Sequence, residues 1–221
     1  MKSIKFFCSI LLFSMLSACG GGDDEDVGPK PSSKPLVIVA FGDSLTSEDI
    51  FITPGSGWVN LLRQRLAADG VNAKHPVTVI NEGRGGETTP QALSRISTVL
   101  ATHKPTHIVL THGTNDIWWD CPGCFASTQA NLIAMGNAAK AAGAKVVYGD
   151  MTLRLRGEAE AAAYTAMVRN AAAATGSEYV HMVANVAFDN VNYYPDKVHF
   201  TNAAQPAMAE AVARSLYRLI D

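Results

Sequence analysis

No block of lysine and arginine interrupts this sequence of 221 residues, and its formal net charge is only −2. Charged residues make up 17% of the chain, too little for the clustered positive footprint that a phosphate backbone requires. Nucleic acid is therefore not an expected partner. Internal repeats are also lacking, which excludes solenoids and other repeat arrays. Beyond the first nineteen residues there is no second long apolar run and so no further candidate for a membrane span. Cysteine is scarce, with four in all: Cys8, Cys19, Cys121 and Cys124.

What is present begins with "MKSIKFFCSILLFSMLSAC", which has a basic start (Lys2, Lys5), an apolar core from Phe6 to Leu16, and then small residues. That order is the one expected of a signal peptide, with an apolar core too short to span a bilayer comfortably. The segment Leu16 to Cys19 resembles a bacterial lipobox. The resemblance implies that Cys19 becomes the mature N-terminus and carries lipid, each buried methylene adding about 0.8 kcal/mol of membrane affinity. Gly20 at the next position implies outer-membrane sorting. The following "GGGDDEDVGPKPSSKP" has almost nothing to bury, so residues 20–34 are expected to be a flexible tether. Residues 35–221 are long enough to form one domain with a full core.

With Cys8 removed and Cys19 lipidated, Cys121 and Cys124 remain as a pair in "DCPGCF". In an oxidising envelope compartment the expectation is a disulfide between them. A redox motif would call for a thioredoxin-like context, and structural zinc for two more close ligands; neither accompanies this pair. A bridge over so short a loop should stiffen it locally.

The domain alternates apolar runs with helical patterns. "LVIVAF" (36–41) is continuous, as a strand covered on both faces would be. Trp58, Leu61, Leu62, Arg65 and Leu66 then recur at helical spacing, with Gly70 as a stop. Val77–Ile80 reads as a second strand. Thr89 is a candidate N-cap with Pro90 at the first helical position and Leu93, Ile96 and Leu100 on one face. "THIVLTHG" is a third strand, "TQANLIAMGNAAKAAGA" a helix ending near Gly143, and "KVVYGDM" a fourth strand. A helix over 158–174, a fifth strand "YVHMV" and a last helix from about Asn202 to Leu219 follow, the last with Met208, Val212, Leu216 and Leu219 facing inward. Strands separated by helices imply βαβ units and a parallel sheet between two helical layers, an α/β domain. Ligand sites in such sheets lie beyond the carboxyl ends of the strands. Four segments satisfy that condition: Gly42-Asp43-Ser44-Leu45, "NEGRGGETT" (81–89), "HGTND" (112–116) and "YPDKVHF", which contains Asp196 and His199.

Taken together, "FGDSLT", "NEGRGGETT", "GTND" and "DKVH", in that order and each after its own strand, resemble the SGNH (GDSL) hydrolase family. The similarity is to its small bacterial esterase, thioesterase and lysophospholipase branch, and it spans almost the whole domain. It implies a flavodoxin-like three-layer α/β/α sandwich with five parallel strands, no metal and no organic cofactor. On the matching positions it implies Ser44 as nucleophile, His199 as base and Asp196 as its orienting carboxylate. The oxyanion donors it implies are the backbone N–H groups of Ser44 and Gly86 and the side-chain amide of Asn115.

The chemistry accounts for these residue types. A serine hydroxyl needs a base to take its proton during attack. A histidine can do so if its other nitrogen donates to a carboxylate. The charge developing on the attacked carbonyl needs donors set in place beforehand, each worth about 10²–10³ in turnover. A side chain at Gly86 is expected to crowd the oxyanion. Asp43 and Asp116 are read as turn-fixing residues and His112 as a packed or hydrogen-bonded histidine. His75, His103, His107 and His181 are unassigned, and Arg154 and Arg156 are expected to face solvent. Trp118 and Trp119 either pack their loop or wall an acyl or sugar pocket. Gly85, Glu87 and the "SED" after "GDSLT" depart from the family pattern and bear on substrate preference.

The expected activity is hydrolysis of carboxylic esters or thioesters through an acyl-enzyme. An α/β-hydrolase elbow, Gly-x-Ser-x-Gly, is excluded by Thr46. Deacetylation of carbohydrate or peptidoglycan, acyl transfer to an acceptor other than water, and non-catalytic binding of glycan or lipid are the alternatives.

Overall fold

The computed structural model describes residues 34–48, 50–118, 124–151 and 157–220. The expectations for the signal peptide, for Cys19 and nearly all of the tether, and for Trp119, Cys121, Arg154 and Arg156 fall outside those residues.

Five parallel strands form one sheet in the order β2-β1-β3-β4-β5: β1 Leu36–Gly42, β2 Val77–Gly83, β3 His107–Thr111, β4 Lys145–Asp150 and β5 Glu178–His181. Helices α1 (Trp58–Ala68), the single turn α2 (Val71–Lys74), α3 (Thr89–His103), α4 (Thr114–Trp118), α5 (Cys124–Ala141), α6 (Glu158–Ala174) and α7 (Gln205–Tyr217) fill the connections. β1 is a continuous apolar run because both of its faces are covered. Ile38 and Ala40 point into one core with Trp58 and Leu62 of α1 and Met208 and Val212 of α7. Val39 and Phe41 point into the other, against Ile96 of α3, Leu132 and Met135 of α5, and Tyr164 of α6. Period-two alternation along one strand thus feeds two helical layers, and the three-layer sandwich is the one expected.

Local boundaries differ from the sequence reading for identifiable reasons. β2 runs on through Asn81, Glu82 and Gly83, because β1 continues to offer it a partner as far as the Gly42–Gly83 pair. Thr88, not Thr89, caps α3: it forms a capping box with Gln91, whose Oε1 accepts from the Thr88 N–H at 2.9 Å. α5 starts four residues before Thr128, at Cys124. β5 stops at His181, while Met182 and Val183 bury their side chains just beyond it. α7 starts at Gln205, after a turn, and ends at Tyr217, leaving Leu219 only packed against the core. Arg65 is exposed and pairs with Asp69 at 2.7 Å, so it takes no part in the buried face of α1.

Candidate active site

All four post-strand segments meet at one edge of the sheet. β1 delivers Ser44 through a turn held from several sides. The buried Asp43 carboxylate accepts the Leu45 N–H at 3.0 Å, and the Thr46 and Ser47 N–H groups donate to the Asp43 carbonyl, each at 3.1 Å. Gly42 is required here by space: a Cβ would lie 2.0 Å from Thr111 Oγ1 and 2.2 Å from Thr46 Oγ1. Those two hydroxyls bond each other at 2.6 Å, tying the Ser44 turn to the end of β3. The buried Trp58 indole donates to the Leu45 carbonyl at 3.2 Å, locking α1 onto the same turn. Burial pushes the Asp43 carboxyl up to about 7, against the Leu45 hydrogen bond and with the help of the Asp116 and Glu87 charges.

Ser44 Oγ lies 3.0 Å from His199 Nε2, and His199 Nδ1 lies 2.8 Å from Asp196 Oδ2. A carboxylate can only accept, so the proton sits on Nδ1 and the Nε2 lone pair faces the serine hydroxyl. The other Asp196 oxygen accepts the backbone N–H groups of Val198 (2.9 Å) and His199 (3.0 Å), so the aspartate sets the local turn as well as the ring. Burial alone would raise the Asp196 carboxyl; these backbone bonds and His199 outweigh it, and its pKa is lowered.

Gly86 has φ +72°, a left-handed conformation, with open space where a Cβ would be. The glycine is therefore favoured by backbone conformation, and no protein atom lies within 4 Å of where its Cβ would stand. Among the described residues, the N–H groups of Ser44 and Gly86 have no protein acceptor. Asn115 Nδ2 donates to the Glu87 carbonyl at 3.0 Å, which fixes the amide and leaves its second N–H available. Ser44, Gly86, Asn115, Asp196 and His199 line one cleft of about 330 Å³. Its apolar wall is Ile50, Phe51, Trp118 and Val198.

Asp116 fixes structure, although across the fold and not within its own turn: it accepts Thr89 Oγ1 at 2.6 Å and the Thr89 N–H at 2.9 Å, pinning α4 to the start of α3. The buried His112 donates from Nε2 to Glu87 Oε2 at 2.9 Å. Burial lowers the His112 pKa against that bond. Glu87, noted as a departure from the family pattern, is the centre of a buried cluster. Arg95 grips its two carboxylate oxygens at 2.9 and 2.6 Å, reaches Glu82 at 2.7 Å, and lies 4.3 Å over the Phe41 ring. Burial would raise the Glu87 carboxyl, but His112 and Arg95 hold it at about 2.

The unassigned histidines are structural neighbours of other groups. His103 meets Glu82 at 2.6 Å, His181 lies 3.1 Å from Asp150, His75 contacts the Lys34 carbonyl at 3.3 Å, and His107 the Thr106 hydroxyl at 3.0 Å. Cys124 is disulfide-bonded. Sequence reasoning missed Arg95, Phe51 and Ile50. The pairing of Arg95 with Glu87, eight residues apart across a loop and a helix start, leaves no periodic signal, and the segment carrying Phe51 has none either.

A 2-1-3-4-5 parallel sheet with these side chains gathered at its carboxyl edge is the architecture of the SGNH hydrolases. The chain belongs to the GDSL-like lipase/acylhydrolase family, whose pattern residues 40–206 match. Over 111 residues it is 34% identical to esterase TesA of Pseudomonas aeruginosa, covering 50% of this chain and 51% of that protein. Over 115 residues it is 31% identical to the uncharacterized lipoprotein YqeF of Bacillus subtilis, covering 50% of this chain and 40% of that one. The chain thus spans about half, or less, of the curated relatives it matches. The crystal structure of TesA has a TM-score of 0.75 to this fold at 29% identity, covering 83% of this chain and 99% of that chain. The psychrotrophic esterase EstA from Pseudoalteromonas sp. shares the fold with a TM-score of 0.70 at 23% identity, covering 83% of this chain and 97% of its own.

Proposed function

We propose that the chain is a serine esterase acting on carboxylic esters with an apolar acyl group. The observation that carries this reading is the unbroken line Ser44 Oγ–His199 Nε2 and His199 Nδ1–Asp196, at 3.0 and 2.8 Å. In the first step Ser44 Oγ bonds to the ester carbonyl carbon while its proton passes to Nε2 and the π electrons move onto oxygen. The resulting oxyanion takes the two unpartnered N–H groups, of Ser44 and Gly86, and the free N–H of Asn115. Asp196 stabilises the imidazolium. Collapse expels the alkoxide, which takes the proton from Nε2 and leaves as the alcohol. Water then attacks the acyl-serine with the same base and returns Ser44.

The apolar wall of Ile50, Phe51, Trp118 and Val198 favours an acyl chain over a bare acetyl group. The half-buried indole of Trp118 on that wall supports a second reading, removal of acetyl from a carbohydrate, because a flat aromatic face also suits a sugar ring. Thioesters fit the same chemistry. The proposed setting is the bacterial envelope, with the chain held to a membrane by lipid on Cys19; the name of the lipoprotein YqeF supports it.

The test is a series of p-nitrophenyl esters from acetate to palmitate, with acetylated sugars alongside, on wild type and Ser44→Ala. Turnover that rises from acetate into the medium chain lengths and vanishes in Ser44→Ala is expected. Absence of Ser44-dependent turnover on every ester would sink the enzyme reading, and preference for acetylated sugars would promote the second one.

A further inference from the structure

A few residues after Ser44, Phe51 lays its ring on the histidine at the edge of the cleft. Phe51 and His199 are stacked with centroids 3.6 Å apart and planes 7° from parallel. The stack is braced at both ends. Tyr194 Oη donates to the Phe51 carbonyl at 2.7 Å, and the Tyr194 ring meets Phe51 edge-on at 5.6 Å. The Tyr194 N–H donates to the His199 carbonyl at 2.9 Å, closing a circuit of three aromatic residues. Two residues beyond Phe51, Thr53 and Asn202 exchange hydrogen bonds, of 2.7 Å between side chains and 3.3 Å from the Thr53 N–H. Glu48 itself accepts the Gly55 N–H at 2.9 Å and so closes the loop that presents Phe51.

We propose that Phe51 is a positioning residue for His199, fixing the plane of the imidazole that faces Ser44. The proposal rests on His199 being the base of the esterase read above. The hydrogen bonds to Ser44 and Asp196 both lie along ring nitrogens, and they restrain the imidazole within its plane. Rotation about the Cβ–Cγ bond swings both nitrogens off those partners, and a group packed on the ring face adds a steric barrier to it that the two hydrogen bonds do not supply. A phenyl face at stacking distance does this, and its negative quadrupole also favours the imidazolium formed when Nε2 takes the serine proton. Glu48, one of the unusual residues after "GDSLT", thus acts on the base through the loop it closes.

Phe51 also lines the cleft, so the experiment has to separate holding His199 from walling the acyl chain. Wild type, Phe51→Leu, Phe51→Ala and Phe51→Tyr are compared in two reactions that leave the acyl wall little used. These are hydrolysis of p-nitrophenyl acetate and inactivation by diethyl p-nitrophenyl phosphate, in which Ser44 Oγ displaces p-nitrophenolate from phosphorus. Phe51→Leu and Phe51→Ala should lower kcat on the acetate by about tenfold or more, with KM within about twofold, since misplacing a catalytic group is felt in turnover. Both should slow phosphorylation of Ser44 by a similar factor, and Phe51→Tyr should restore both rates. Thermal melting of each variant accompanies the kinetics, and Phe51→Leu and Phe51→Tyr, which keep most of the volume, decide the matter if the alanine variant does not fold. If Phe51→Leu keeps wild-type kcat and phosphorylation rate while KM rises with acyl length, Phe51 is an acyl wall only and the proposal is overturned. A wild-type protein that hydrolyses no ester and resists the organophosphate would instead bring down the esterase reading itself.

Discussion

Replacing Arg95 with methionine removes the guanidinium that grips the Glu87 carboxylate and leaves an apolar stem of similar length. Arg95 and Glu87 side chains are 8% and 6% exposed, so the remaining charge would sit in a largely water-free setting with His112 as its nearest support. Stranding one member of a buried pair costs about 3–5 kcal/mol. Glu82 loses Arg95 too, but it keeps His103 at 2.6 Å and more contact with water, so Glu87 carries most of the penalty. For a domain of this size the loss corresponds to a fall in melting temperature of about 6–20 °C. The pH dependence has a fixed sign. The Glu87 carboxyl is held at about 2 in the folded protein, below its ordinary 4.5. Its stabilising share is therefore present above about 4.5 and lost as pH falls toward 2. Without Arg95 the carboxyl rises, so acid neutralises the stranded charge and the gap between variant and wild type narrows below about pH 5. Urea unfolding at several pH values reads both effects. Glu87→Gln combined with Arg95→Met should recover at least about 1 kcal/mol relative to Arg95→Met alone, because the leftover charge has gone. An Arg95→Met protein within about 1 kcal/mol of wild type at pH 7, or a double variant no better than the single, would refute the reasoning.

Asn115→Ala should lower kcat by about 10²–10³ with little change in KM or in melting temperature, as measured by initial rates on a short ester. Gly42→Ala forces a methyl against the Thr46 and Thr111 hydroxyls and should cost about 1–3 kcal/mol in denaturant unfolding, with activity lost in parallel as the Ser44 turn shifts. Asp43 behaves oppositely to Glu87: its carboxyl is raised to about 7 by burial, so its contribution is intact below its ordinary value and is lost as pH climbs through 7. Asp43→Asn should therefore flatten the stability profile between about pH 4 and 7, and an unchanged slope there would count against a carboxyl so strongly raised.

The layering of the fold was legible because β1, β3 and β4 are buried on both faces and so read as apolar runs, and because the helices carry their inward faces at regular spacing. The four segments that hold the candidate site residues were legible for a different reason, while the residues within them were picked out by the resemblance to the SGNH family. Parallel sheets bring every strand's carboxyl end to one edge, so a motif's place after a strand locates it in space without any knowledge of packing. What stayed hidden depends on contacts between segments that share no period. Glu82 to Gly83 read as loop because their strand character comes from pairing with Phe41 and Gly42, not from their own side chains. The Glu87–Arg95–His112 cluster joins a loop, a helix and a strand end, and polar residues at those positions look solvated until the fold closes over them. Phe51 belongs to a segment without regular structure, and only its fit against His199 gives it a role.

The two halves of the Ser44–His199 hydrogen bond lie 155 residues apart, whereas Asp196 and His199 are joined within a single turn by two hydrogen bonds. The Asp196–His199 pair can therefore assemble locally and early, and bringing the serine to it is the long-range event in folding. A chain made from its N-terminus exposes Ser44 well before residue 199 exists, and through that interval the hydroxyl lacks its histidine partner. Under the proposed mechanism the fold thus has a built-in latency: ester cleavage is expected only once the first strand and the last loop have met. Recovery of Ser44 reactivity after dilution from urea consequently times the closure of the whole domain, in a way that helix content alone does not.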